Sequence, residues 1–166
     1  FNTRVAPIQV SWLAYCNTLG FETIDYIVAD ENLINEGEEK FYSEKIIKLP
    51  QIWHAHSGFN YKRNFNILPS LGNNSFTFGS FNNFKKISDD TIEAWSSILK
   101  NVPNSKLVLK SSSFCDTKLL LNKFKKNGVD QQIEILDKAN FFKKENHLEL
   151  YNTIDLALDT FPYNGV

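Results

Sequence analysis

The sequence has 166 residues, 42% of them hydrophobic and 22% charged, with a formal net charge of −1. Such a composition belongs to a globular protein of one domain or two small lobes. The charge balance gives no electrostatic ground for a nucleic-acid or membrane-surface partner, and no apolar run approaches the ~20 residues of a membrane helix.

From the N-terminus, Ile8–Leu13 and Tyr26–Asp30 are predicted strands, and Tyr42–Leu49 is ambiguous between helix and strand. Residues 51–68 are aromatic and Asn-rich with no clear period. Pro69-Ser-Leu-Gly-Asn-Asn-Ser75 collects turn residues and is predicted as a loop or linker. It divides the chain into residues 1–70, the end of a first lobe with its linker, and residues 71–166, the first half of a second lobe.

The second part has a regular rhythm. Phe76–Phe81 reads as a buried strand. Ser88 is a helix cap with Asp89 and Asp90 in the first turn, where negative charge suits the helix dipole. Ile92, Trp95, Ile98 and Leu99 fall on one face of that helix, and Pro103 ends it. Lys106–Lys110 is the next strand. Thr117–Lys126 is a helix with Leu120, Leu121 and Phe124 inward, lysines in its last turn and Gly128 as its stop. Gln132–Leu136, Lys144–Ile154 and Leu156–Thr160 complete the series as strand, helix and strand. Strands alternating with helices across short connections predict a parallel sheet with right-handed crossovers, half of a doubly wound α/β domain.

In such a sheet, ligands bind in the crevice at the carboxyl ends of the strands. Two loops reach that edge: the turn after Phe76–Phe81 and the segment Leu158-Asp-Thr-Phe-Pro-Tyr-Asn-Gly165. Lys86 lies in the first. Its ammonium and the free N–H groups of a helix start both favour a diphosphate, although Asn-Phe-Lys-Lys alone is equally a solvated surface turn, and Lys85 is predicted to face solvent. Lys144 and His147, three apart, share a helix face pointing to the same edge. Read locally they are a surface helix start; in a nucleotide site they would hold a ribose or phosphate and stack on a base. Gly165 would let backbone approach a phosphate, or is a plain turn residue.

Elsewhere the signals are weaker. Ser11-Trp-Leu-Ala-Tyr-Cys-Asn-Thr-Leu-Gly20 leaves a strand in a polar loop suited to a sugar, with Trp12 expected in the core. His54 and His56 have a metal-like spacing without a third ligand. Glu36, Glu38 and Glu39 read as a solvated loop or helix start, and Lys123, Lys125 and Lys126 as solubility charges. Cys16 and Cys115 match no metal or redox spacing and read as free thiols of a cytoplasmic protein, a disulfide being the lesser alternative. No Gly-x-Gly-x-x-Gly, Walker lysine loop or Ser-His-Asp arrangement is present. Met is absent and the sequence stops just after a predicted strand, so it reads as an internal segment of a longer protein.

Six collinear blocks carry a wider resemblance: Arg4-Val-Ala-Pro-Ile-Gln-Val-Ser-Trp-Leu-Ala-Tyr15, Ile24-Asp-Tyr-Ile-Val-Ala-Asp30, Tyr42-Ser-Glu-Lys45, Phe81-Asn-Asn-Phe-Lys-Lys-Ile87, Trp95-Ser-Ser-Ile-Leu-Lys-Asn-Val-Pro-Asn-Ser105 and Leu158-Asp-Thr-Phe-Pro-Tyr-Asn-Gly165. Together they resemble the catalytic region of the O-GlcNAc transferase / SPINDLY family, especially its bacterial members. The resemblance implies a GT-B fold: the end of the first Rossmann-like lobe, then a parallel-sheet half of the second. It implies inverting, metal-independent transfer of a sugar, expected to be GlcNAc, from a nucleotide diphosphate donor to Ser or Thr hydroxyls of proteins. The donor is a UDP-sugar, with a GDP-sugar as the alternative, and no further cofactor is implied. Upstream tetratricopeptide repeats that present the acceptor usually accompany this region.

By the same resemblance, Lys86 matches the lysine that stabilises the leaving diphosphate. Lys144 matches a donor-ribose lysine, His147 a histidine stacked on uracil, and Asn83 a nucleotide-contacting glutamine. Asn164 and Gly165 close the nucleotide side. Ala14, Tyr15 and Cys16 match a sugar-side loop that is usually Gly-Tyr-Pro-Gly-Thr; Ala14, Cys16 and Asn17 depart from it, which bears on which sugar is used. The family's active-site histidines and Thr-rich phosphate loop fall outside these 166 residues, so the isolated chain is expected to be inactive, and an incomplete lobe is expected to self-associate. Two rivals remain: a non-catalytic nucleotide-sugar-binding or scaffold protein of the same fold, and a GDP-fucose-using O-fucosyltransferase of the SPINDLY type.

Overall fold

A computed structural model describes residues 2–13, 15–54, 66–110, 117–136 and 144–164, with the backbone alone at 144–146. The chain forms two units, Phe1–Lys62 and Arg63–Val166.

The first unit holds a three-stranded parallel sheet in the order β1 (Val10–Ser11), β2 (Tyr26–Ala29), β3 (Lys45–Lys48). The first strand is shorter than predicted because Leu13 turns to a positive φ of 75°, a region that L-residues enter only at a steric cost. The ambiguous stretch after Tyr42 resolves as strand, consistent with the β-branched pair Ile46-Ile47. Ile27, Ala29 and Ile34 form the buried centre, with Leu33, Tyr42 and Ile46 packed on it. Trp12 departs from the expected core position. It is half exposed, and its indole N–H donates to the Trp53 carbonyl at 3.0 Å.

The second unit holds a four-stranded parallel sheet in the order β6-β5-β4-β7, with β4 at Phe76–Ser80, β5 at Ser105–Lys110, β6 at Ile133–Leu136 and β7 at Leu156–Ala157. Taken along the chain this is the order 3-2-1-4, the doubly wound arrangement, with its reversal between β4 and β7. Helix α2 (Asp89–Asn101) begins as predicted: the Ser88 side chain accepts the Thr91 N–H, with Asp89 and Asp90 in the first turn. It buries Ile92, Trp95 and Leu99 against Leu107 and Leu109 of β5 and Leu120 and Phe124 of α3 (Thr117–Lys126). Six of those seven side chains are Leu, Ile or Phe, and burying each stabilises the unit by ~1.5–3 kcal/mol before entropy is counted.

Three differences from the predicted elements have physical causes. The Pro69–Ser75 stretch contains a short helix, α1 (Pro69–Asn73), rather than only loop. Pro69 occupies the first turn, where its missing N–H costs nothing, and the Asp155 carboxylate accepts the Ser70 N–H at 2.9 Å. The helix predicted over Lys144–Ile154 is α-helical only as α4 (Lys144–Glu149) and tightens to a 3-10 turn at Leu150–Thr153, closed by the Thr153 hydroxyl on the Leu150 carbonyl. Strand β7 stops at Ala157 instead of Thr160 because Asp159 turns the chain. Its carboxylate accepts the Thr160 N–H at 2.8 Å, while the Thr160 hydroxyl donates to the Tyr163 carbonyl.

Candidate functional site

The reversal between β4 and β7 opens a cleft of about 590 Å³ at the carboxyl ends of these strands. Gly79, Ser80, Phe81, Asn82, Asn83 and Lys86 line it from the β4 side. His147, Tyr151, Ala157, Leu158 and Asp159 line it from the α4 and β7 side. The predicted candidates Asn83, Lys86 and His147 therefore meet in one place, although 64 residues separate the first from the last.

Lys86 closes a 3-10 turn, Phe84–Lys86. Asn83 caps that turn, its side-chain oxygen accepting the Lys85 N–H at 3.1 Å and its carbonyl the Lys86 N–H at 2.9 Å. Phe84 and Ile87 are buried on either side of the lysine pair, so Lys85 faces solvent and Lys86 turns towards the cleft. The Lys86 ammonium donates to the Asn164 carbonyl at 2.9 Å and lies 4.5 Å from the centre of the Tyr163 ring. A carbonyl and a π face steady a cation without cancelling its charge. That leaves the ammonium electrostatically available to an anion.

The loop that supplies Asn164 is itself held firmly. The Phe161 carbonyl accepts from the Ser88 hydroxyl at 2.6 Å and the Thr91 hydroxyl at 2.9 Å, and the Phe161 N–H donates to Thr91 Oγ1 at 3.1 Å. The N-terminus of α2 thus anchors the loop after β7, next to the turn that carries Lys86. Across the mouth, the Asn82 amide donates to Asp159 at 2.9 Å.

His147 lines the cleft from α4. Its ring makes edge contacts with Phe81 and Tyr151, at centroid distances of 6.2 and 5.9 Å, and Phe81 meets Tyr151 at 5.0 Å. Its Nδ1 is 3.0 Å from the Lys110 ammonium at the end of β5. Burial pushes the imidazole below its ordinary pKa, and the charge of Lys110 adds to that. Burial raises the Tyr151 hydroxyl, and Asp159 raises it further. The imidazole is thus packed among aromatic rings with one cation, Lys110, on its Nδ1, whereas Lys86 is held by a carbonyl and a single ring.

Sequence reasoning passed over Phe81, Asn82, Lys110, Tyr151 and Asp159 as site residues. Tyr151 had a usable signal, standing four residues after His147 on the same helical face. Lys110 had one as well, at the carboxyl end of a predicted parallel strand. Of the other predicted residues, Lys144 is the first residue of α4, and Gly165 and Ala14 fall outside the described residues.

Tyr15 and Cys16 belong to the first unit, Tyr15 half exposed and Cys16 a free thiol. The loop they enter is tied down by the buried Glu44, which accepts from the Thr18 hydroxyl and the Leu19 N–H, both at 2.7 Å. Burial alone would raise the Glu44 carboxyl, but these hydrogen bonds outweigh it and hold it ionised below the usual range. Among the described residues no cluster of three His, Cys, Asp or Glu side chains is placed to hold a metal ion, and no helix is long and apolar enough to cross a membrane. His54 is described, whereas His56 and Cys115 are not.

The profile of glycosyl transferase family 41 matches residues 1–58 and 61–166. An Arabidopsis thaliana protein described as a probable UDP-N-acetylglucosamine–peptide N-acetylglucosaminyltransferase, SPINDLY, is 33% identical over 98% of this chain. A second Arabidopsis thaliana protein of the same description, SEC, is 32% identical over 99%. The chain spans 18% of the length of each. Among solved structures, a mutant of the Thermobaculum terrenum O-GlcNAc transferase superposes with a TM-score of 0.84 at 29% identity, over 96% of this chain and 30% of that one. The GT-B, Rossmann-like class expected from the sequence is the fold shared with that transferase. With the family profile matching nearly every residue and a parallel sheet that opens its cleft at the strand reversal, this chain belongs to glycosyl transferase family 41.

Proposed function

We propose that this chain is the donor-binding part of a protein O-glycosyltransferase, which transfers a sugar from a nucleoside diphosphate to Ser or Thr hydroxyls. One observation carries the reading: the Lys86 ammonium and the aromatic-packed His147 ring line the same cleft at the strand reversal. A nucleoside diphosphate complements the pair, with an anionic pyrophosphate for the lysine and a flat base for the histidine. The names of the SPINDLY and SEC relatives support a UDP-linked N-acetylglucosamine donor and a peptide acceptor.

In this reading the acceptor hydroxyl oxygen attacks the anomeric carbon in line, inverting it. The bond from that carbon to the diphosphate breaks, and its electron pair stays on the diphosphate oxygen. The acceptor proton passes to a base that the described residues do not supply. Lys86 stabilises the charge that grows on the departing oxygen, an interaction stronger in the transition state than in the ground state. Asn83 sets the turn that aims Lys86, and the Asn164 carbonyl holds its ammonium in place. Lys144 and Gly165 belong to the nucleotide side, and Ala14, Tyr15 and Cys16 to the sugar side. No resident cofactor is needed, because Lys86 supplies the positive charge. A cytoplasmic location belongs to the same reading, supported by sparse cysteine use and a free Cys16.

Titration of UDP and then GDP into the chain, with Lys86→Ala as control, tests the site. Saturable binding that weakens tenfold or more, roughly the loss of one charge-assisted bond, is expected. Equal binding by both proteins removes Lys86 from the site. In the full-length protein Lys86→Ala is expected to lower turnover by about 10²–10³. Binding without transfer to any peptide would favour the scaffold rival, and preference for GDP would favour the fucosyl donor.

A further inference from the structure

The contact between Lys110 and His147 constrains the histidine chemically. An ammonium group carries three donors and no acceptor. At 3.0 Å from the imidazole Nδ1, it can bond only to that nitrogen's lone pair. The ring must therefore be neutral, with its proton on Nε2. Lys110 ends β5 and pairs with Leu136 of β6, so the cation stands on the sheet itself rather than on a loose loop.

From this geometry we propose that Lys110 is a positioning residue for base recognition, locking His147 as the neutral Nε2–H tautomer among the aromatic rings of the cleft. The proposal rests on the nucleotide reading above. A locked ring offers a fixed flat face and one fixed donor, whereas a free imidazole would exchange tautomers and gain charge near neutral pH. The other groups around the ring fit this role. Phe81, after β4, and Tyr151, on the turn after α4, set the ring's orientation through edge contacts. Among the described residues Lys110 is the charged group at the imidazole, while Asp159, after β7, acts on Tyr151. Burial and Lys110 both act against protonation of His147.

The test is a ¹⁵N-detected titration of the imidazoles in the whole chain, with His147→Gln identifying the His147 signals among those of the three histidines. In the wild type, His147 Nδ1 is expected to resonate as an unprotonated acceptor and Nε2 as protonated, with a midpoint below the ordinary 6.5. Lys110→Met is expected to move the midpoint up towards 6.5 and mix the tautomers, and Lys110→Arg to restore the wild-type pattern. Dispersed backbone amide spectra identify which variants remain folded. Affinity for UDP is expected to fall roughly fivefold in Lys110→Met and recover in Lys110→Arg. Affinity for inorganic pyrophosphate is expected to stay unchanged, because it lacks a base. Identical His147 signals in wild type and Lys110→Met overturn the lock. Equal weakening of UDP and pyrophosphate overturns the base role, making Lys110 a general positive charge. A chain with the locked tautomer that binds neither UDP nor GDP refutes the nucleotide reading and the base role with it; binding of UDP with mixed tautomers refutes the lock alone.

Discussion

Gly79 and Ile154 approach each other so closely that a Cβ built on Gly79 would stand 2.6 Å from Ile154 Cγ2 and 2.7 Å from Cδ1. Gly79 pairs with Ala157 across the β4–β7 ladder, and Ile154 is buried just ahead of β7. The missing side chain therefore gives Ile154 its place beside the strand that forms the floor of the cleft.

Gly79→Ala is expected to destabilise the chain by about 1–3 kcal/mol through overpacking. Ile154→Ala removes both clashing carbons and costs ~2–5 kcal/mol as a cavity. Because the two residues share the same space, the double variant should lose less than the sum. Urea unfolding of all four proteins measures that coupling; simple additivity would show that the close approach does not constrain the native packing.

Asp155 joins three elements. Its carboxylate accepts the Ser70 N–H at 2.9 Å and the Thr77 N–H at 2.8 Å, and its own N–H donates to the Thr77 carbonyl at 2.7 Å. Burial acts to raise this carboxyl, but the two backbone hydrogen bonds outweigh it and the pKa lies below its ordinary value. A depressed folded-state pKa means that the contribution is complete above the unfolded value near 3.8 and fades as pH falls through the folded one. Asp155→Asn should therefore cost about 1–2 kcal/mol at pH 7. The gap to wild type should narrow below pH 4. Urea midpoints at pH 7 and pH 3 read both values, and a gap independent of pH would contradict the ionised clamp.

Thr91 is buried, and its hydroxyl both donates to the Phe161 carbonyl and accepts its N–H. Thr91→Val keeps the shape and leaves the Phe161 N–H without that acceptor. A loss of about 1–3 kcal/mol is expected. The loop it frees also carries Asn164, so UDP binding should weaken in the folded variant as well. Thermal melts and nucleotide titration separate the two effects. Unchanged affinity with lowered stability would detach this anchor from the site.

The regular half of the fold was legible because its signals are local. Ser88 with Asp89 and Asp90 marks the start of α2, the apolar spacing from Ile92 to Leu99 gives its buried face, and Gly128 follows α3 at a φ of 73°. Helix α1 was illegible because the carboxylate at its first turn comes from Asp155, 85 residues later than Ser70. The early end of β7 depends on Asn82 and the Asp159 turn, again a tertiary arrangement. In the cleft, Lys86 and His147 stood out through the resemblance of whole blocks. Lys110 did not, because its significance lies in the imidazole of a residue 37 positions away.

The ladder between β4 and β7 joins Phe78 to Leu156 and Gly79 to Ala157, pairing residues 78 apart, while β4 meets β5 across 29 and β5 meets β6 across 26. Closing long loops is the slow part of folding. As the chain leaves the ribosome, the β4-β5-β6 layer can therefore assemble before β7 has emerged. The cleft has no second wall until then, and Lys86 has no carbonyl to hold it until Asn164 follows. Nucleotide binding would thus read out the last step of the lobe's assembly, and a bound nucleotide would draw newly made chains towards the finished form by mass action.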